Sequence, residues 1–325
     1  MKIAIAGTGK IAEEVMQMLH RDFQGKIEVT GIFAREQSVE HAIDLCMAYA
    51  PTGFVYTDYD RMLAEAEADF IYVANANHVH YEYASRALAA GRHVIVEKPI
   101  CTNRAETEML MDSALIAGRF CLPAFSLLYM PLFRQLQDIL PQLGTIRMVQ
   151  CNFAQYSSRY DRYQQGIITP VFDPAMSGGC LRDLNIYNLC FCIALFGPPF
   201  SIYHHCNQGH NGIDTSGALV LRYRDHVDTL TASKDSNGVN LACIQGEKGY
   251  IEVKGTVSIL EEFTLHLRGE EPVTFRADAE RHRLSYEFEE FRALLEDEPN
   301  CHIRTYYLAR VAQEIATAME RLIEY

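Results

Sequence analysis

The chain has no excess of basic residues: 29 Lys and Arg stand against 42 Asp and Glu, a formal net charge of −13. That balance argues against a nucleic-acid surface as the main function, because phosphate backbones are met by clustered Lys and Arg. Ten cysteines are present, yet no two have the CxxC spacing. Cys46, Cys190, Cys192 and Cys243 sit inside apolar segments, the usage of reduced, buried thiols in a cytoplasmic protein. The N-terminus, MKIAIAGTGKIA, has no signal-peptide pattern. No apolar run approaches the roughly 20 residues that a membrane-spanning helix needs. Neither an internal repeat nor a low-complexity segment is present. His78, His80, the His204-His205 pair and the cysteines lack the spacing of a closed tetrahedral site, so no metal is expected. What remains is an ordinary globular composition, 49% hydrophobic and 22% charged. Its 325 residues suffice for two domains.

The two halves have different rhythms. From Met1 to about Cys121, apolar strands (KIAIAG, EVTGIFA, DFIYVANA, HVIVEK) alternate with helical stretches. Three such stretches are IAEEVMQMLHRDF, SVEHAIDLCMAYA and HYEYASRALAAG, the last closing on Gly91. Such βαβα alternation specifies a doubly wound parallel sheet covered on both faces. From about Ile146 the segments VQCNFAQYS, SGALVLRYRD, VDTLTASKD, NLACIQGEKGYIEVKG and FTLHLRG are strand-like, with Asp, Asn and Gly turns between them. They predict an open, mostly antiparallel sheet with a helix from Cys180 to Phe196 packed on it. The tail TYYLARVAQEIATAMERLIEY reads as a final amphipathic helix. The expected fold is α/β, with a dinucleotide-binding domain over 1–121 and a substrate and oligomerisation domain over 122–325.

GTGKIA, Gly7 to Ala12, follows the first strand and opens a helix, the context that the dinucleotide fingerprint G-x-G-x-x-G/A requires. Gly7 permits the tight turn, Gly9 lets backbone approach a pyrophosphate, and Ala12 lets helix and strand pack closely. The second strand ends IFAREQS, with Arg35 where an NAD site usually carries an acid. Arg pairs with a 2′-phosphate or stacks on adenine, so the cofactor is NAD(P), leaning to NADP. HVIVEKP places Glu97, Lys98 and Pro99 where a strand leaves the core. In SGGCLRDLNIYNLC, Asp183 and Tyr187 stand four apart on one helical face. Taken alone, an acid in a first helical turn and a half-buried tyrosine are as well explained by structure as by catalysis.

Together GxGxxA, the EKP triplet, GGxxxD with an ionisable residue four further on, and IQGEKGYIEV (Ile244 to Val253) resemble the Gfo/Idh/MocA oxidoreductases over essentially the whole chain. Tyr187 stands where many members carry His, a form similar to the dihydrodiol and xylose dehydrogenase branch. The resemblance implies hydride transfer between NAD(P) and the carbinol carbon of a sugar, polyol or cyclic diol. It implies Lys98 at the reacting oxygen, with Asp183 and Tyr187 as its catalytic partners and Asp183 holding either the substrate hydroxyl or Lys98. The implied cofactor set is Gly7, Thr8, Gly9, Lys10 and Ile11, then Ala34 and Arg35, then Ala74, Asn75, Asn77 and His80, then Glu97 and Lys98. A cis Lys98–Pro99 bond and a homodimer or homotetramer through the outer face of the second sheet are also implied. Two other activities use the same fold: a non-catalytic dinucleotide sensor, and a lyase or glycosidase that recycles its NAD internally. The chain departs from the family at Asn75 and Ala76, in place of a hydroxyl residue and proline, and at Leu128, in place of an arginine. The segment Ser157 to Pro174 is dense in Tyr, Arg and Asp. It reads either as a loop whose Arg159, Tyr160, Arg162 and Tyr163 clamp a polyhydroxylated substrate or as a solvated or dimer-contact loop.

Overall fold

β-Branched and aromatic residues in short runs form six strands: Lys2–Ala6 (β1), Glu28–Phe33 (β2), Phe54–Tyr56 (β3), Phe70–Val73 (β4), His93–Glu97 (β5) and Cys121–Ala124 (β6). A computed structural model describes residues 1–296 and 301–324, and pairs all six in parallel in the order β3-β2-β1-β4-β5-β6. Every residue of β4 is buried, as expected for a parallel strand covered on both faces. The covering helices are Lys10–Asp22 (α1), Val39–Tyr49 (α2), Tyr59–Glu65 (α3), His80–Ala89 (α4) and Arg104–Ala117 (α5). Strand order reverses between β1 and β4, and ligands of open α/β sheets bind outside the carboxyl ends at such a point. The loops that follow β1, β4 and β5 all open at that end.

Two compact units divide the chain: Met1–Ala124 with Leu284–Gln313, and Phe125–Arg283 with Glu314–Tyr325. The expected single boundary after residue 121 is therefore corrected. β6 completes the first sheet, and helix Ser285–Leu295 (named α9 below) returns to the first unit. The reason is apolar: Phe288 and Phe291 are fully buried, with ring centroids 5.9 Å from Tyr72 and 6.2 Å from Phe70.

The second unit is a nine-stranded sheet built on Ile146–Ala154 (β7). Its other strands are Ser201–Gln208 (β8), Asp214–Arg222 (β9), Val227–Ser233 (β10), Leu241–Gly246 (β11), Gly249–Lys254 (β12), Glu262–Leu267 (β13), Val273–Arg276 (β14) and Leu322–Glu324 (β15). The order is β14-β13-β12-β11-β7-β10-β9-β8-β15, antiparallel except at β7–β10 and β8–β15. Helices Pro131–Ile139 (α6) and Tyr160–Gln164 (α7) precede the long helical stretch. That stretch is a π turn over Leu181–Asn185 followed by α-helix Ile186–Phe196 (α8). Asn185 and Asn188 donate their side-chain amides to the Leu230 and Thr231 carbonyls of β10, at 3.1 and 3.2 Å, which pins the helix to the sheet. The chain closes with α9, helix Cys301–Glu320 (α10) and β15.

Two expectations are corrected here. The tail is a helix only to Glu320, and Leu322–Glu324 then pairs in parallel with β8. Residues Pro174–Phe196 are long and apolar enough to cross a membrane by length and composition, but their most apolar 18-residue window is 72% buried inside the protein. α8 is the core helix of its unit.

Candidate active site

The β1–α1 turn is shaped by two glycines. Gly7 has φ +125°, and a Cβ there would lie 2.6 Å from the Ala74 carbonyl oxygen, so only glycine fits beneath β4. Above Gly9, among the described residues, no atom lies within 4 Å of where a Cβ would point. Nor does a described side chain cap α1, so its first N–H groups face the open side of the turn. Beside Gly7, the Asn75 Oδ1 atom is buried without a hydrogen-bond partner among the described residues. An open glycine, an uncapped helix start and an orphaned acceptor fit a bound dinucleotide. At the end of β2, Ala34 is buried and donates its N–H to Tyr56 O at 2.9 Å, while Arg35 is exposed.

The lysine loop is braced from two sides. Glu97 is buried and accepts from the Tyr72 hydroxyl and, at 3.1 Å, from the Lys98 N–H. His80 is fully buried, with Nδ1 2.8 Å from Pro99 O and Nε2 3.1 Å from Asn75 O. Burial lowers its pKa, against the two carbonyls and with the Lys98 charge. The ring ties the loop after β4 to the loop after β5. The Lys98–Pro99 bond is cis, and Lys98 is partly exposed.

In the second unit Asp183 occupies the π turn, a distortion that often marks functional helices. Its Oδ2 accepts from the ammonium of Lys234, the residue just after β10. The lysine side chain is only 3% exposed and the aspartate 32%. Asp214 Oδ2 accepts from Leu181 N at 2.6 Å, satisfying one of the N–H groups at the start of the turn. Burial raises the Asp214 pKa, opposed by that bond and by His204 and Lys234. Gly179 has φ +106°, and a Cβ there would fall on Asp214 Oδ1. Tyr187 is half-buried, with its ring centroid 6.1 Å from Phe153 and 6.4 Å from Phe125.

A family model described as "Oxidoreductase family, NAD-binding Rossmann fold" matches residues 1–125, and the "GFO/IDH/MocA C-terminal domain" matches residues 133–252. The chain belongs to the Gfo/Idh/MocA oxidoreductase family. It is 30% identical over 328 residues to scyllo-inositol 2-dehydrogenase (NADP(+)) of Bacillus subtilis, covering 98% of this chain and 97% of that one. It is 28% identical to trans-1,2-dihydrobenzene-1,2-diol dehydrogenase of Sus scrofa over 61% of this chain and 58% of that protein. Among solved structures, a 3-ketoreductase from Actinomadura kijaniata determined with NADP and TDP-benzene has the same fold, with TM-score 0.83 and 21% identity over 100% of this chain and 98% of that one. The protein is thus an NAD(P)-dependent oxidoreductase acting on CH–OH groups.

Within this Gfo/Idh/MocA chain the candidate residues fall into three groups. Gly7, Thr8, Gly9, Ala34, Arg35, Ala74, Asn75, Asn77 and Lys98 lie in the connections after β1, β2, β4 and β5, and Lys10 and Ile11 open α1. His80 and Glu97, also expected at the cofactor, turn their side chains inward onto protein partners and brace the two loops. In the second unit the ammonium on Asp183 comes from Lys234. Leu128 is buried in the core.

The segment after β7 is largely exposed, with two of its aromatic rings anchored in the fold. Tyr163 and Phe172 are buried with Ile213, the two rings stacked 4.8 Å apart. The turn between β8 and β9 locks them in place. The Tyr163 hydroxyl donates to Asn211 Oδ1 at 2.7 Å, Asn211 Nδ2 donates to Phe172 O at 2.8 Å, and the His210 ring stacks on Tyr163 at 4.3 Å. Arg159 and Arg162 are exposed at the outer edge, and Tyr160 is half-buried on the Tyr163–Phe172 stack. Of the two residues expected to clamp a substrate, Arg159 stays exposed and Tyr160 packs one face on these rings. Sequence reasoning missed Lys234, Asp214 and Phe172. One signal was available for Lys234, since in TASKDS it leaves a strand as Lys98 does in VEKP.

Proposed function

We propose that the protein interconverts a secondary alcohol and a ketone on a neutral polyol, sugar or cyclic diol, using NADP. The observation that carries this reading is the likeness, over nearly its full length, to an NADP-linked inositol dehydrogenase. The cofactor preference is supported by the exposed Arg35 at the end of β2 and by the absence of an acid at Phe33 or Ala34. Bound at the β1–α1 turn, the cofactor supplies or accepts the hydride at its nicotinamide ring.

The chain's own residues hold charge and protons. The N–H groups at the start of α1 take the pyrophosphate, and Asn75 Oδ1 accepts a hydrogen bond from the cofactor. Lys98, at the carboxyl end of β5, places positive charge at the reacting oxygen and favours its alkoxide character. Tyr187 receives the alcohol proton in oxidation and returns it in reduction. Asp183 accepts a hydrogen bond from a substrate hydroxyl. A panel of inositols, pentoses, hexoses and vicinal diols, followed by nicotinamide absorbance with NADP and NAD in parallel, tests the reading. Turnover of a polyol with NADP supports it, and tight cofactor binding with no turnover of any alcohol contradicts it.

We further propose a cytoplasmic homodimer or homotetramer. The nine described cysteines outside Cys301 are all free, which suits a reducing compartment. Val227, Met148, Gln245, Tyr250 and His266 fall in register across five strands of the second sheet, and Val227, Met148 and Tyr250 are exposed there. Such a row, with three exposed apolar residues, suits a second copy of the chain. Light scattering after gel filtration tests the assembly, and a monomer at micromolar concentration contradicts it.

A further inference from the structure

We propose that Lys234 is a positioning residue that keeps Asp183 ionised and aimed, so that the site accepts a hydrogen bond from a neutral hydroxyl and excludes acidic substrates. The inference rests on the oxidoreductase reading of the Asp183–Tyr187 helix. Its basis is geometric. Lys234 is 2% exposed, its N–H donates to Thr215 O at 2.8 Å, and its carbonyl accepts from Ser157 N at 2.9 Å. Its ammonium bonds Asp183 and lies 5.1 Å from the centroid of Phe172. Phe172 is held by Asn211 and stacked on Tyr163, so the folded insert forms the ammonium's apolar cover.

Burying such a pair is not an economical route to stability, because apolar residues of the same volume commonly do as well or better. Ionic geometry around one motif residue therefore points to function. A carboxylate fixed by an ammonium is acceptor-only, so the group it meets must donate. Asp183 keeps a third of its side chain exposed while Lys234 is sealed, which leaves the carboxylate as the face offered outward.

The charged and titratable groups around the pair complete the setting. Cys180, Asp214 and Asp235 face it, with His204 and Arg182 near Asp214. Burial opposes the charge of Asp235, but the hydroxyls of Thr215, Ser233 and Ser216, at 2.7, 2.9 and 2.9 Å, outweigh it and keep that carboxyl below its usual range. Asp235 is thus committed to hydroxyls, and the motif carboxylate that Lys234 meets is Asp183.

The test uses the full chain carrying Lys234→Met, Lys234→Arg and the double change Lys234→Met with Asp183→Asn. Two readouts are taken: the pH profile of kcat/KM with a polyol substrate, and the Asp183 carboxyl titration by 13C NMR assigned against Asp183→Asn. Lys234→Met is expected to lower kcat/KM roughly 100-fold through mispositioning. It should also raise the acid limb of the profile and the Asp183 titration by about one pH unit or more. Lys234→Arg should keep the wild-type limb. The double change should be no worse than Asp183→Asn alone, as for residues acting as one unit. NADPH binding should stay within about twofold, because the dinucleotide turn belongs to the other unit. An Asp183 titration unchanged in Lys234→Met overturns the inference whether or not the enzyme turns over. Failure of the wild-type enzyme on every alcohol, with the titration shift intact, instead overturns the oxidoreductase reading. If Lys234→Met does not fold, an unshifted titration in Lys234→Arg combined with an activity loss as large as that of Asp183→Asn also overturns it.

Discussion

Asp228 on β10 is fully buried against α8, where the Cys192 thiol is its neighbour. Neither carboxylate oxygen has an N–H or O–H partner among the described residues, and His226 Nε2 lies 3.5 Å away. Burial pushes its pKa up from an ordinary 3.8 to about 7, opposed only by the thiol. The folded state therefore holds the proton more tightly than the unfolded state. The associated stability is complete below the unfolded pKa and is lost as pH rises through about 7. Asp228→Asn should abolish that loss, so the variant should exceed the parent in Tm at about pH 8 and lose the slope of up to about 1.4 kcal/mol per pH unit between pH 4 and 7. Calorimetry across that range checks it, and parallel Tm profiles for parent and variant would contradict it. Cofactor choice is also decided at this scale. Arg35→Gln should reduce the NADP over NAD preference about tenfold or more, the value of roughly one charge-assisted bond. Competitive titration of the two cofactors measures that ratio, and an unchanged ratio would clear Arg35 of the role.

At the scale of elements, the stretch after β7 changes its meaning. Its Tyr and Arg density suggested hydrogen bonds to a sugar, but the aromatic rings pack on one another and on the β8–β9 turn. Tyr163→Ala should therefore cost about 3–5 kcal/mol of stability, as for a buried aromatic, while Arg159→Ala should leave kcat/KM within about twofold. Urea unfolding and steady-state kinetics check the pair of outcomes. A stable Tyr163→Ala protein, or an Arg159→Ala enzyme that loses most of its kcat/KM, would restore the clamp. Sequence could not separate these cases, because an aromatic reads the same whether it faces a ligand or its neighbour. The β1–α1 turn was legible because Gly7 and Gly9 answer constraints that no other side chain meets. The π turn was not, because LRDLN is an ordinary helical string whose geometry is set by Asp214 and the glycines before it. β15 was hidden for a related reason: LIE continues a helical pattern, and only pairing with β8 makes it a strand.

For the whole molecule, alternation of strands and helices was enough to foresee the parallel sheet, its cofactor turn and an open second sheet. It did not reveal that Leu284–Gln313 returns to the first unit, since that depends on Phe288 and Phe291 meeting Phe70 and Tyr72 across more than two hundred residues of chain. Lys98, Asp183 and Tyr187 could be singled out as candidates because each sits in a motif. The candidate site was illegible where a partner arrives from a distant strand, as Lys234 does 51 residues after Asp183. The account's central claim is that the molecule is a polyol-directed, NADP-linked oxidoreductase whose Lys98 carries the chemistry. Its most direct test is nicotinamide absorbance on the full chain with NADP and a panel of inositols and vicinal diols, for wild type and Lys98→Ala. The account predicts turnover by the wild type and a loss of about 1,000-fold or more in the variant, with NADPH binding retained. Turnover that survives Lys98→Ala, or none by the wild type despite bound cofactor, would contradict it.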